Sequence, residues 1–281
     1  MGVANKGTDV AYNVQNSVDA KEHIIVTTDV ATNPADQTQL YAMAEKTANE
    51  LNISEDEALT VLADKGYWRK DDLVKCNDDA RINAIVSAPK EQGISGFRKS
   101  DFTYDKDKDE YICPAGSILK RWKGKTPSYT NPKACKDCPH KDKCTKSKRG
   151  RVIQRDEHEE IMESATKRYN ENYELYKIRQ QLVEHPFGTL KRSLGFTYFL
   201  TRTLENVKNE NFLHVMTYNL KRVLNIFRVP ELVERLRTFK GENDDVKSAI
   251  LLRILLIYQK NSKFSKIQKD GTTNFKAFYT V

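Results

Sequence analysis

Two short apolar runs constrain this chain more than any other feature. The first lies in Leu59-Thr-Val-Leu-Ala-Asp64-Lys-Gly-Tyr67, the second in Asn83-Ala-Ile-Val-Ser-Ala88. Runs this short, bounded by polar residues, suit buried central strands. Between them residues 68–80 predict a helix with Trp68, Leu73, Cys76 and Ala80 on its inner face; Cys76 is then a small core residue. Strand, helix and strand together point to an α/β fold. In open α/β sheets functional residues gather at the carboxyl ends of strands, where Asp64 stands with Gly66 to turn the chain. On local grounds an acid there serves equally well as a helix N-cap.

Upstream, residues 10–32 alternate as two strands of a hairpin. Tyr12, Val14, Asn16 and Val18 point one way, and the polar residues between them the other. Asn33-Pro34 opens a helix with Pro34 in its first turn, and Leu40, Met43, Ala44, Thr47 and Leu51 form its buried face.

Charge narrows the partner. The 281 residues carry a net charge of +8 with a pI near 9.0 and a mean hydropathy of −0.69. That balance favours a polyanion, most often nucleic acid, with an anionic membrane surface as the alternative. No apolar run of about 18 residues spans a membrane and no apolar signal segment opens the chain, so a cytoplasmic protein is expected. Four of the five cysteines fall within 113–144, which is not the pattern of a secreted disulfide framework.

Residues 90–155 change character, being rich in Lys, Asp, Gly and Pro and poor in aliphatics; they read as an insertion. Within 113–155 thirteen Lys and Arg stand against two Asp, a local charge of +11. Trp122 and Tyr129, interleaved with these cations, suit a nucleic-acid surface, because rings stack on bases and cations neutralise phosphates. The alternative is a solvated basic loop. The two-residue gap between Cys135 and Cys138 lets one tight turn offer two thiolates to a tetrahedral Zn²⁺, and Cys113 and Cys144 complete the set. His140 is a substitute ligand, and reduced surface thiols are the alternative. A segment this polar gains order from such a metal.

Residues 157–182 predict one long charged helix, and residues 203–228 a second. The stripe of the second, Leu204, Val207, Leu213, Met216, Leu220, Val223, Leu224 and Phe227, is expected to be core. Between them Glu184 sits among Arg179, Lys191 and Arg192. Helical geometry carried through this segment places Glu184 and Lys191 about two turns apart on one face. A carboxylate for a metal beside a lysine for a phosphate suits phosphodiester chemistry; a surface Glu–Lys pair is the alternative. Beyond 228 lie an amphipathic segment at 230–239, an apolar one at 250–258 too short to span a membrane, and a polar end expected to fray.

Three stretches resemble one family. Ala63-Asp64-Lys65-Gly66-Tyr67 is similar to the second-acid motif of bacterial insertion-sequence transposases of the DDE (Asp-Asp-Glu) superfamily. The run Glu184-His185-Pro186-Phe187-Gly188-Thr189-Leu190-Lys191-Arg192 resembles their third-acid motif. Tyr176, Arg179, Glu184 and Lys191 follow the wider signature with one extra residue between Arg and Glu. Tyr12-Asn-Val-Gln15 and the cysteine-bearing insertion belong to the same likeness. The resemblance implies an α/β, ribonuclease-H-like mixed sheet flanked by helices and two-metal phosphoryl transfer with Mg²⁺ or Mn²⁺. It makes Asp64 and Glu184 the catalytic, metal-binding acids, and Lys191, Arg192, Arg179 and Tyr176 DNA contacts. The partners it implies are the insertion-sequence ends and target DNA, with a homodimer and no membrane, in a cytoplasmic, nucleoid-associated setting.

The family's first acid precedes the Tyr-Asn-Val-Gln strand, and no counterpart stands there, so an N-terminally truncated chain with its first strand missing and no activity alone is expected. The organisation expected is residues 1–89 as the first part of the catalytic core, 90–155 as the basic Cys-rich insertion, 156–228 as the helical part carrying Glu184, and 229–281 as a helical, partly disordered tail. Two other readings stand beside it: a zinc-stapled DNA-binding protein without catalysis, and a metal-dependent nuclease using Asp9 or Asp19.

Overall fold

A computed structural model describes residues 2–3, 7–8, 11–89, 96–122, 124, 127–238 and 277–280. Asp9 and the segment 250–258 lie outside them. The chain divides into two compact units, residues 1–86 with 171–281, and residues 87–170.

The first unit begins with a two-residue ladder, β1 (Gly2–Val3) against β2 (Gly7–Thr8). The hairpin follows as β3 (Asn13–Asp19) and β4 (Ile25–Ala31). The alternation expected for β3 does not hold, because Gln15, Asn16, Ser17 and Val18 are all buried. A strand covered on both faces must satisfy its polar side chains inside the protein. Ser17 and Thr27 share a 2.6 Å hydroxyl contact, and Thr47 of α1 (Leu40–Glu50) donates to the Ser17 hydroxyl at 2.8 Å or to the Met43 carbonyl at 2.7 Å. Leu40, Met43, Ala44, Thr47 and Ala48 are the buried face of α1. Pro34 does not open this helix; a 3-10 turn, Asp36–Thr38, intervenes.

The two apolar runs are the parallel pair β5 (Leu59–Ala63) and β6 (Ile82–Val86), joined through a 3-10 turn at Lys65–Tyr67 and α2 (Lys70–Asp78). Cys76 is buried on α2, as expected.

The second unit is not the coreless loop its composition suggests. Its strands β7 (Thr103–Asp105), β8 (Glu110–Ile112), β9 (Ile118–Trp122), β10 (Ser128–Thr130) and β11 (Val152–Gln154) form an antiparallel sheet in the order β11-β10-β9-β8-β7. Phe102, Tyr111, Leu119, Tyr129 and Ile153 pack as its core. Four of these five side chains are aromatic or β-branched, and three-residue strands need only one such residue each to build a buried face. Tyr129, expected at a nucleic-acid surface, is only 2% exposed. Its hydroxyl donates to Asp109 at 2.5 Å, as does that of Tyr104 at 2.8 Å, and Arg121 donates to the same carboxylate at 3.0 Å. Two short helices, α3 (Pro132–Lys136) and α4 (Lys141–Cys144), carry Cys135 and Cys144, with Cys138 between them. Arg155, buried with its guanidinium 3.8 Å from the centre of the Tyr104 ring, pairs with Glu163 of α5 (Glu159–Glu171) at 2.8 Å.

The helix expected over 157–182 is two, α5 and α6 (Tyr173–Gly188), with Asn172 between them. A π-helical turn, Thr189–Ser193, extends α6. The long helix α7 (Leu204–Ile226) buries Val207, Asn211, Val215 and Tyr218. Leu213 and Met216 are half exposed, so the expected core stripe is wrong for the middle of the helix. At its end Val223, Leu224 and Phe227 pack on Leu232 and Val233 of α8 (Val229–Thr238).

The last strand, β12 (Ala277–Thr280), enters the first sheet between β3 and β5, antiparallel to one and parallel to the other. The sheet runs β4-β3-β12-β5-β6. A segment expected to fray thus supplies the middle strand of this sheet.

Three donors hold the Asp109 carboxyl below its usual value: the Tyr129 and Tyr104 hydroxyls first, then Arg121. A carboxyl depressed in the folded state adds stability above the unfolded value of about 3.9 and loses it as pH falls through the folded value. The second unit should accordingly weaken below about pH 4. In Asp109→Asn this acid limb should flatten, as measured by urea denaturation across pH.

Candidate functional site

The sheet topology gathers one set of polar side chains at the carboxyl edge of β5. Because β3 runs antiparallel to β12 and β12 parallel to β5, the start of β3 and the end of β5 lie at the same edge. Asp64 follows β5 directly, and its side chain accepts the Lys65 N–H, closing the 3-10 turn. From β3, Asn13 and Gln15 donate to one oxygen of Asp36 at 2.7 and 2.8 Å. Tyr67, buried, donates its hydroxyl to the Gln15 carbonyl oxygen. Burial, and after it the Asp36 charge, pushes the Tyr67 hydroxyl far above its ordinary value, so it is a fixed donor. Asp36, Gln15 and Tyr67 thus tie the 3-10 turn that presents Asp64 to the buried strand β3.

Helix α6 lies against β5 and β12 and brings Arg179 to Asp64, Nη2 to Oδ2 3.6 Å. The guanidinium also sits over the Tyr176 ring, 5.5 Å from its centre. Its Nε is buried, with no hydrogen-bond partner among the described residues. Asp64, Arg179 and Tyr176 are therefore together, whereas the sequence reading grouped Arg179 with Glu184.

Glu184 is placed differently. Five residues on from Arg179, it is turned about 140° around an α-helix. Its carboxylate is exposed and accepts from Gln180 of its own helix at 3.0 Å. The next residue, His185, meets His23 (ring centres 5.2 Å apart) and Tyr218 (6.5 Å). Burial, then the Arg222 charge, holds both imidazoles below their ordinary value. Lys191 stands over the Phe187 ring at 5.6 Å, and Arg192 is exposed. Both belong to the π-helical turn, whose wider spacing departs from the two-turn alignment of Glu184 with Lys191. Asp19, the alternative first acid, accepts the Glu22 N–H at 2.6 Å and so closes the β3–β4 turn.

In the second unit all four expected zinc ligands, Cys113, Cys135, Cys138 and Cys144, line one cavity of about 30 Å³ with His140, Phe97, Phe102 and Leu119. The Cys113 sulfur accepts the Ser117 N–H at 3.3 Å. Gly150, at φ +94°, is required beside them: a Cβ there would stand 2.6 Å from the Cys135 Cβ. Burial raises the Cys144 thiol. The thiols are free, and among the described residues no three His, Cys, Asp or Glu side chains stand as a metal's ligand set. This holds for the cysteines and for Asp64 with Glu184 alike.

A family model described as Transposase DDE domain matches residues 112–224. The matched stretch includes the four cysteines, Tyr176, Arg179, Glu184, Lys191 and Arg192, and stops short of Asp64. A domain of that family implies a role in DNA transposition, with DNA as partner and divalent metal ions in its chemistry. No curated protein and no solved structure matches the chain. No helix among the described residues is long and apolar enough to cross a membrane.

Asp36 and Gln15 were not named as site residues in the sequence; the signals were the Tyr12-Asn-Val-Gln15 likeness and an acid just after Asn33-Pro34. Asp36→Ala removes one of the two acceptors of each amide, leaving Asn13 the Asn33 carbonyl and the fully buried Gln15 the Asn13 side-chain oxygen. It should cost about 1–3 kcal/mol in urea denaturation. Asp64→Ala, at an exposed position, should cost well under that.

Proposed function

We propose that this chain is the catalytic-domain part of a transposase acting on the DNA ends of an insertion sequence, built on a ribonuclease-H-like sheet. The observation that carries the reading is the Asp64–Arg179 ion pair. It joins the stretch that matches the transposase domain to the acid that directly follows β5, a central strand of the sheet.

The roles follow from the side chains. Arg179 offsets the charge of Asp64 through Nη2, and its planar guanidinium suits a phosphate as well as a carboxylate. An arriving phosphodiester then takes over Arg179 and frees the Asp64 carboxylate. Lys191 and Arg192 add positive charge on the exposed turn after α6. A divalent ion, Mg²⁺ or Mn²⁺, supplies in this class the activation of the attacking oxygen and stabilisation of the leaving one. Asp64 pairs with Arg179 and Glu184 accepts from Gln180, and among the described residues no third ligand joins them, so they do not fit a pair of such ions. The strand beside β5 carries Ala-Phe-Tyr-Thr and brings no acid. The chain by itself therefore binds DNA without cutting it.

Incubating the chain with supercoiled plasmid and Mg²⁺ or Mn²⁺ should give retarded but un-nicked DNA. Arg179→Ala should weaken duplex binding and reduce its salt slope by about 0.9, the loss of one phosphate contact. Nicking that Asp64→Asn abolishes would show a complete acid set after all. Absence of DNA binding at low salt would overturn the proposal.

A second reading concerns the cysteines, and their convergence on one cavity favours it. We take the four sulfurs as a structural Zn²⁺ site, with His140 adjacent, that draws α3, α4 and the 113–117 turn together. Thiolates at this spacing suit tetrahedral zinc. Elemental analysis should find one zinc per chain, and Cys138→Ser should lower it. A metal-free protein with four titratable thiols would refute the site.

A further inference from the structure

In the first unit the loop between the π-helical turn and α7 holds two large apolar side chains out in solvent: Tyr198 is 70% exposed and Leu200 80%. The backbone that carries them is nonetheless anchored. Phe196 stacks on His214 of α7 with ring centres 3.8 Å apart, and Phe199 meets the edge of Tyr12 at 6.0 Å. Glu210 of α7, its side chain only 11% exposed, accepts the Leu200 N–H at 2.8 Å, the Thr201 N–H at 2.9 Å and the Thr201 hydroxyl at 2.7 Å. Thr203 closes the loop at φ +70°, a region that β-branched residues avoid, so the anchors impose the conformation. Exposed apolar residues on a loop fixed by its scaffold are the usual form of a contact surface.

Register places this loop at the Asp64 edge. Tyr279 of β12 pairs with Val18 on one side and Leu62 on the other. Asp64 lies two residues past Leu62, and Tyr12 six residues before Val18 on the antiparallel strand, both in the same direction. With β12 between β3 and β5, Tyr12 stands about 10 Å to the side of Asp64 and about 13 Å further out along the strands. The two are also served from one face of the sheet. Leu190, just after α6, and Val215 of α7 pack in one cluster with Val18; α6 brings Arg179 to Asp64, and the loop before α7 brings Phe199 to Tyr12.

We infer that Tyr198 and Leu200 are base contacts of this site: Tyr198 stacks on an unpaired base of the DNA strand that passes Asp64, and Leu200 wedges beside it. The inference rests on the transposase reading and deepens it, because it makes the substrate DNA that is locally unpaired. Position selects the occupant, since a strand whose phosphate lies at Arg179 reaches the loop within a few nucleotides. Local charge agrees with it. Residues 185–204 contain Lys191, Arg192 and Arg202 and no acid. All three cations are exposed and make no ion pair among the described residues, while the Glu210 carboxylate is taken up by the loop's own backbone. Phosphates flanking the contacted base therefore meet positive charge without a competing anion. Shape selects an unpaired base over a paired one. A protruding ring and a leucine engage base faces, and inside a duplex those faces are covered by stacking.

The test uses the whole chain with a short duplex ending in a single-stranded (dT)5 flap that carries one 2-aminopurine, and with the same duplex blunt. Binding of the flap should quench the 2-aminopurine emission. Tyr198→Ala should abolish the quenching and weaken flap binding by about 5- to 100-fold, the range for losing one stacked base. Blunt-duplex affinity should change less than about two-fold, since stacking makes no contribution there. Tyr198→Phe should keep both the quenching and the affinity, and Leu200→Ala should weaken flap binding selectively as well. Arg179→Ala should weaken both DNAs. Absence of quenching, unchanged flap affinity in Tyr198→Ala, or equal losses on the two DNAs would each overturn the base contact. Blunt-duplex binding that still depends on Arg179 would in those cases leave the transposase reading standing, whereas a chain that binds neither DNA would remove both. A dimer in light scattering that Tyr198→Ala dissolves would give the loop to a second copy of the chain and overturn the inference. An unchanged thermal midpoint of Tyr198→Ala establishes that the substitution acts at the surface.

Discussion

The first unit depends on one constraint: β3 is polar in sequence and buried on both faces. Gln15, Asn16 and Ser17 are almost fully out of solvent, and each unsatisfied polar group there would cost about 1–3 kcal/mol. The elements around β3 answer it except at the Asn16 Nδ2, which has no hydrogen-bond partner among the described residues. From one side come the hydroxyl of Thr47, the carboxylate of Asp36 and the hydroxyl of Tyr67. From the other, Thr28 donates to Asn16 at 2.6 Å and receives the Asn211 amide of α7 at 2.6 Å. Asn219 of α7 brackets the Ile25 peptide on edge strand β4, accepting at 2.9 Å and donating at 2.8 Å. Arg222 and Tyr218 donate to the carbonyls of Glu22 and His23 in the β3–β4 turn. Hydrophobic burial gives the sheet its bulk of stability, but this polar set decides which helix sits where.

How far the fold was legible follows from the same chemistry. Strands β5 and β6 and helix α2 declared themselves because apolar runs of that length have few alternatives. Asp64 was found for the same reason, being the first polar residue after such a run. Strand β3 was recognised as a strand but misread in its facing, since pattern treats Gln, Asn and Ser as solvent-exposed. Helix α7 was recognised too, and its buried face was misassigned: Asn211 and Tyr218 are inside, Leu213 and Met216 half outside. A stripe of leucines marks where a helix could bury surface, and the polar demands of β3 and its turn determined where it did.

The second unit was opaque for another reason. Its core is drawn from tyrosine, phenylalanine and isolated aliphatics on strands of three residues, diluted among lysines. Short strands give periodicity nothing to work with. The cysteines, by contrast, were legible as a group from spacing alone, and they do share one cavity. Their geometry was not legible, and neither was the Asp36 network, because both depend on chain segments that meet only after folding.

The position of β12 bears on the order in which the first unit is made. Its partners β3 and β5 lie some two hundred residues earlier in the chain, so the centre of the sheet leaves the ribosome long after both of its flanks. Until then the β3–β4 hairpin and the β5–β6 pair are two separate halves, each with an open inner edge and backbone N–H and C=O groups unanswered. Contacts of such sequence separation close slowly. The nascent chain therefore passes through a long interval in which its two half-sheets are competent to pair with any free strand, including one from a neighbouring copy. The few residues of β12 thus act as an intramolecular stopper whose timing is set by translation.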